Sequence, residues 1–183
     1  MELGTDEFTL AAAVLAALTS VYGVFSQRRS ELREAHRKSL DEYISDLSRA
    51  LHEVVASTDI LLRAKSEESE RKWLARAHEA RDTIKGVRPA LRYALWGISG
   101  GLKRISLLPD WVYHKRADAD VADKILKRGD RLRRALDYTI RRCYSRGRTP
   151  TVFERFLVKV SDWHFGKASS KEGTLVDKGD TID

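Results

Sequence analysis

The sequence predicts an all-α protein, an apolar N-terminal helix followed by a helical bundle, and three observations carry that reading. Only three prolines occur in 183 residues (Pro89, Pro109 and Pro150), so long helices can run uninterrupted. No alternating Val/Ile/Thr run lies between glycine turns, so the pattern of a sheet is missing. Apolar residues recur instead at helical spacing. Leu40, Ile44, Leu47, Leu51, Val54 and Leu61 keep an alternating four-three register, with Thr58 filling the gap.

The first element runs from Phe8 to Phe25, eighteen residues without a charge, within the length that a bilayer core requires. Glu2, Asp6 and Glu7 precede it, while Arg28, Arg29, Arg33, Arg37 and Lys38 follow. The positive-inside rule then predicts a single-pass inner-membrane protein, with the N-terminus outside and the C-terminus cytoplasmic. A basic leader and a small-residue cleavage site are both missing, so the run does not read as a cleaved signal. The alternative is a buried helix of a soluble domain. On the membrane reading the chain divides into residues 1–27 (N-terminus and transmembrane helix), 28–165 (a cytosolic helical domain) and 166–183 (a disordered polar tail).

Side chains of this first helix sort by size. Thr9, Ala12, Ala13, Ala16, Ala17, Thr19, Ser20 and Gly23 fall on one arc and the large apolar residues on the other. A small-residue stripe lets helix backbones approach closely, so this face is expected to pack a homo-oligomer or, in the sharper reading, to line a pore with Thr9, Thr19 and Ser20.

Downstream, Tyr43, Val55, Ile60 and Leu62 widen the apolar stripe of the long helix beyond a two-stranded seam, which favours a bundle. Ser66 to Glu70 supplies a cap and first-turn carboxylates for a second helix bearing Trp73, Leu74, Ala77, Ala80 and Ile84, ending near Gly86. A further helix should begin at Pro89 and carry Leu91, Leu95, Ile98, Leu102 and Ile105, with Gly97, Gly100 and Gly101 marking a kink or a close helix contact. After a break at Pro109, a basic helix from about Asp118 to Arg146 turns Val121, Ile125, Leu132, Leu136, Ile140 and Cys143 inward, and Gly147 stops it. Thr149 and Pro150 open a last helix whose expected apolar face is Val152, Phe153, Phe156, Leu157, Val160 and Trp163.

Charge is regional. Residues 87–148 carry 16 Lys/Arg against 6 Asp/Glu, a net +10 in a chain of net +7. Trp111, Tyr113, His114, Lys115 and Arg116 stand beside a helix bearing Lys124, Lys127, Arg128, Arg131, Arg133, Arg134, Arg141 and Arg142. Aromatic faces beside cations suit an anionic ligand, a nucleotide or oligonucleotide, although acidic lipid, an acidic protein or plain solvent would serve such a surface equally well.

Several chemistries are excluded. Cys143 is the only cysteine, so neither an intrachain disulfide nor a two-cysteine zinc site can form. The histidines, His36, His52, His78, His114 and His164, lack metal-ligand spacing, and no phosphate loop or nucleophile elbow is present, so neither metal nor cofactor is expected.

Two resemblances add expectations. Arg29 with His36 and Arg71 with His78, followed after each arginine by Ser30 and Lys72, resemble the arginine–histidine signature of HEPN ribonucleases, helical bundles that cleave RNA with such pairs. That resemblance implies RNA cleavage; the residues by themselves point to no catalytic group. The layout of a short span, a helical bundle and a basic surface resembles small bacterial membrane effectors of anti-phage defence. It implies an oligomeric effector or channel controlled by an anionic signal, with an adaptor or scaffold as the non-enzymatic alternative.

Overall fold

A computed structural model of the chain describes the backbone of residues 5–171 and the side chains of residues 13–166. Six helices follow one another: α1 (Thr5–Arg63), α2 (Glu67–Ala90), α3 (Ser99–Ile105), α4 (Leu108–His114), α5 (Ala119–Arg146) and α6 (Val152–Lys171). No strand occurs among the described residues.

The second half of α1 is the spine of the bundle. Leu40, Leu47, Leu51, Val54 and Leu61 are fully buried, and Ile44 packs against them, so the four-three register becomes the core seam. Thr58 holds the remaining position, buried with its hydroxyl donating to the Val54 carbonyl. Helix α2 folds back along α1 after Ser66, whose hydroxyl accepts from Ser69 N at 3.2 Å. On the other side lies α5, with Ile125, Leu132, Leu136, Ile140 and Cys143 buried. Asp118 caps α5 by accepting from Val121 N at 3.1 Å. Its other end stops at Gly147, at φ 58°, ψ 47°, where an L side chain is strained and a Cβ would lie 2.6 Å from the Arg33 carbonyl oxygen.

Several expected boundaries move. Helix α2 runs through Pro89 to Ala90 instead of ending near Gly86, since a proline in the last turn forfeits only one hydrogen bond. Residues 91–97 form turns, not the start of a helix, and the segment still buries Leu91, Leu95 and Ile98. Pro109 starts α4 rather than breaking the chain, because a helix's first turn has no use for the missing N–H. Gly101 is a close helix contact, with a Cβ there meeting Val158 of α6 at 2.9 Å and Leu136 of α5 at 3.2 Å. Helix α6 continues to Lys171, past the expected boundary at Gly166, and residues 172–183 of the expected tail lie outside the described residues.

The membrane placement needs correction. Among the described residues no helix is long and apolar enough to cross a membrane. Side chains of the apolar run are described from Ala13, and from there Gln27, Arg28 and Arg29 follow before an eighteen-residue apolar window is complete. Single-pass inner-membrane localisation, with its N-out and C-in orientation, is therefore not supported. The Thr9 and Ala12 side chains lie outside the described residues.

Candidate functional site

The cations predicted to form one anionic-ligand surface are distributed over several contacts. Trp111 stacks 4.9 Å from Phe165, and Arg116 pairs with Glu70 and donates to the Ala64 carbonyl, tying the end of α4 to the α1–α2 turn. Arg133 bonds to Asp130 at 2.8 Å and reaches the His52 ring; Arg141 sits 2.9 Å from Asp137 and donates to Ser48. Both bind α5 to α1. Arg128 donates to the His164 carbonyl, and Arg142 lies over Tyr138 and 3.4 Å from Glu154, binding α5 to α6. Lys127 and Arg134 are exposed but paired along α5 with Asp123 and Asp130. Tyr113 is exposed, and His114 turns Nδ1 to the Asp110 carbonyl. Lys115 is half-buried at the end of α4, and Lys124 and Arg131 are exposed and in no ion pair among the described residues. A run of basic residues along the sequence is thus mostly matched by acids and carbonyls in space.

Glu154, missed by the sequence reading, organises the junction of α5 and α6. It is 2% exposed and accepts from Arg148 through both oxygens (2.8 and 2.9 Å), from Thr151 N (2.8 Å) and from the Thr151 hydroxyl (2.9 Å). Arg148 and the Thr151 donors outweigh burial and hold its pKa down at about 2. Thr151 and Glu154 form a capping box, a T-x-x-E signal readable in the sequence. Cys143 lies beneath this junction, its thiol pushed up to about 11, mainly by burial and then by Glu154, so it is a poor nucleophile.

The same junction grips α1. Arg37 donates to the Ser145 carbonyl at 2.7 Å, Tyr144 donates to Asp41 at 2.7 Å, and Gly147 abuts Arg33. His36 is half-buried beside it, its pKa lowered by burial against a compensating bond with the Arg148 backbone. Beyond this grip, every side chain from Ala13 to Arg33 is exposed, including Val14, Leu15, Leu18, Val21, Tyr22, Val24 and Phe25. Thr19 and Ser20, expected to bond across a helix contact or to line a pore, donate to the backbone carbonyls of their own helix (Thr19 to Ala16, 3.1 Å; Ser20 to Ala16, 2.9 Å). The small-residue stripe of Ala13, Ala16, Thr19, Ser20 and Gly23 thus stands open, and a Cβ on Gly23 would meet nothing within 4 Å.

A second apolar surface lies on α6, where the expected inward face is mostly outward. Val152 (77%), Phe153, Phe156, Val160 and Trp163 are exposed, whereas Val158, Phe165 and the charged Glu154 are buried. Tyr93 and Trp96 extend this surface from the turns before α3, and the Arg155 guanidinium lies 4.4 Å from the Trp96 ring centroid. Gly97, at φ 88°, makes room for Arg155, whose side chain occupies the space of a Cβ. Between Gly97, Gly100, Gly101 and α6 opens a cleft of about 470 Å³ lined by Val152, Phe156, Lys159 and Asp162. Arg104 Nε lies 3.1 Å from Asp162 Oδ1 but off the line that a hydrogen bond needs, and burial raises the Asp162 pKa.

The two arginine–histidine pairs are not assembled into one site. His78 Nε2 lies 3.0 Å from Asp110, which also pairs with Arg81, while Arg71 pairs with Glu67 on the exposed start of α2. His36 is at the α1–α5 junction, and Arg29 is on the exposed part of α1. Among the described residues no group of His, Cys, Asp and Glu could hold a metal ion.

No family model, no curated protein and no solved structure matches this chain.

Proposed function

We propose that the chain is a homo-oligomeric scaffold that assembles through the projecting part of α1, referred to below as the arm. The observation that carries this reading is the exposure of every side chain from Ala13 to Phe25 on a helix gripped only from Arg33 onward. A helix apolar on all sides is ordinarily buried, and one this long without tertiary support is marginal in water, so a partner that covers the arm would stabilise it. Its small face, Ala13, Ala16, Ala17, Ser20 and Gly23, permits close backbone approach, and contiguous apolar surface of this kind marks interaction sites. Ion pairs between helices make the rest of the chain a stiff support for the arm. Light scattering across a concentration series tests the reading. The mass should rise above one chain and return to one chain in the Leu18→Glu/Phe25→Glu variant, whereas a wild-type chain monomeric throughout would refute it.

A second reading concerns ligand control through Lys124, Arg131 and Arg146, the exposed α5 cations in no ion pair among the described residues. Three such cations neutralise about three phosphates, so oligonucleotide binding should weaken with salt at a log–log slope no steeper than about −3. Binding unchanged by Lys124→Glu/Arg131→Glu/Arg146→Glu would remove this reading.

A further inference from the structure

The arm needs a surface to lie on, and the exposed face of α6 needs a cover. We infer that they are each other's partners: the arm of one copy docks on the α6 face and glycine-floored cleft of a second copy, giving head-to-tail assembly. The inference rests on the scaffold reading above and names the arm's receptor.

Four observations favour this occupant. First, the arm cannot cover its own α6. Helix α1 is continuous from Thr5 to Arg63 and has neither Pro nor Gly from Phe25 onward to kink it, so as a helix it leaves the bundle without turning back on its own α6. Second, the two surfaces match in length and register. Val14, Leu18, Val21 and Phe25 repeat at four-three-four over about 17 Å, and the α6 ridge from Phe153 through Phe156 and Val160 to position 163 repeats at three-four-three over about 15 Å. Third, the charges are opposite. Ahead of the uncharged docking segment the sequence has Glu2, Asp6 and Glu7 and no Lys or Arg through residue 27, while the α6 face is flanked by Arg155 and Lys159 against the one acid Asp162. Fourth, shape agrees: a Cβ on Gly100 would meet nothing within 4 Å, and the cleft beside it has room for one large arm side chain such as Tyr22 or Phe25.

Each copy carries one arm and one face, so a heterologous contact satisfies both in every interior copy, whereas an arm-to-arm contact would leave the α6 face bare. The assembly then grows as an open chain or closes as a ring.

A mixing experiment on full-length chains tests this. The arm variant is Leu18→Glu/Phe25→Glu; the face variant is Phe153→Glu/Phe156→Glu, with Gly100→Leu as an independent face variant that fills the cleft. All these positions are exposed, and circular dichroism checks that each variant keeps its helices. Each variant alone should sediment as one chain. An equimolar mixture of arm and face variants should form a species of twice the chain's mass and nothing larger, because only one intact arm and one intact face remain to meet. A face variant that still assembles like the wild type, or two monomeric variants that fail to combine, overturns the inference. In the first case the scaffold reading survives, with arms meeting arms; a wild-type chain that is monomeric at every concentration overturns both.

Discussion

One helix contains both extremes of this molecule. Leu40, Leu47, Leu51 and Leu61 in the second half of α1 are fully buried, while Val14, Leu18, Val21 and Phe25 in its first half are at least half exposed, though both sets are apolar and repeat with nearly the same period. The difference is what stands opposite. Helices α2 and α5 line the second half, and the last contacts, from Tyr144, Ser145 and Gly147, fall at Asp41, Arg37 and Arg33. Periodicity therefore identifies a face that seeks burial and leaves open whether its mate belongs to the same chain.

The comparison is broken most strongly by paired truncations. Leu51→Ala should cost about 2–5 kcal/mol in urea unfolding, as a buried leucine replaced by a cavity. Leu18→Ala, assayed where the chain is monomeric, should cost less than about 0.5 kcal/mol. Equal losses would mean that the arm packs within its own chain. Next comes the junction that decides where the arm begins. Glu154→Gln should cost about 3 kcal/mol at neutral pH, following from a carboxyl held at about 2 against an ordinary 4.5. A depressed carboxylate stabilises fully above its unfolded value, so the difference between wild type and variant should be constant above about pH 5 and vanish as the pH falls through 4.5 toward 2. A difference that grows on acidification would contradict this. Gly147→Ala should cost about 2 kcal/mol, from left-handed strain and the approach to the Arg33 carbonyl, with some of the loss recovered by Gly147→Asn. Least disturbing is a probe of Cys143: alkylation at pH 8 should proceed no faster than unfolding, since the thiol is buried with a pKa of about 11.

What the sequence made legible follows from where local signals agree with tertiary contacts. Helix α5 was readable end to end because Asp118 caps it, Gly147 stops it and its apolar residues share one face. Helix α6 was misread because it has more apolar residues than buried positions; the inward position after Thr151 is taken by Glu154, whose burial depends on Arg148, a partner that hydrophobic periodicity cannot register. The basic surface is less open than its charge suggests because a count over residues 87–148 omits acids that fold against it from elsewhere in the chain, Glu70 and Glu154, and takes no account of how Asp130 and Asp137 pair within it. The expected membrane span rests on an uncharged stretch, and composition alone does not distinguish apolar surface that meets protein from apolar surface that meets lipid.

Hydrogen exchange resolved along α1 tests the central claim most directly, because it reads both halves of the helix in one sample. Amides of residues 40–61 should exchange slowly at every protein concentration, through global unfolding, while those of residues 13–25 should gain protection as concentration rises and lose it in the Leu18→Glu/Phe25→Glu variant. Protection in residues 13–25 that is independent of concentration, whether high or absent, would contradict an arm ordered by its contact with another copy.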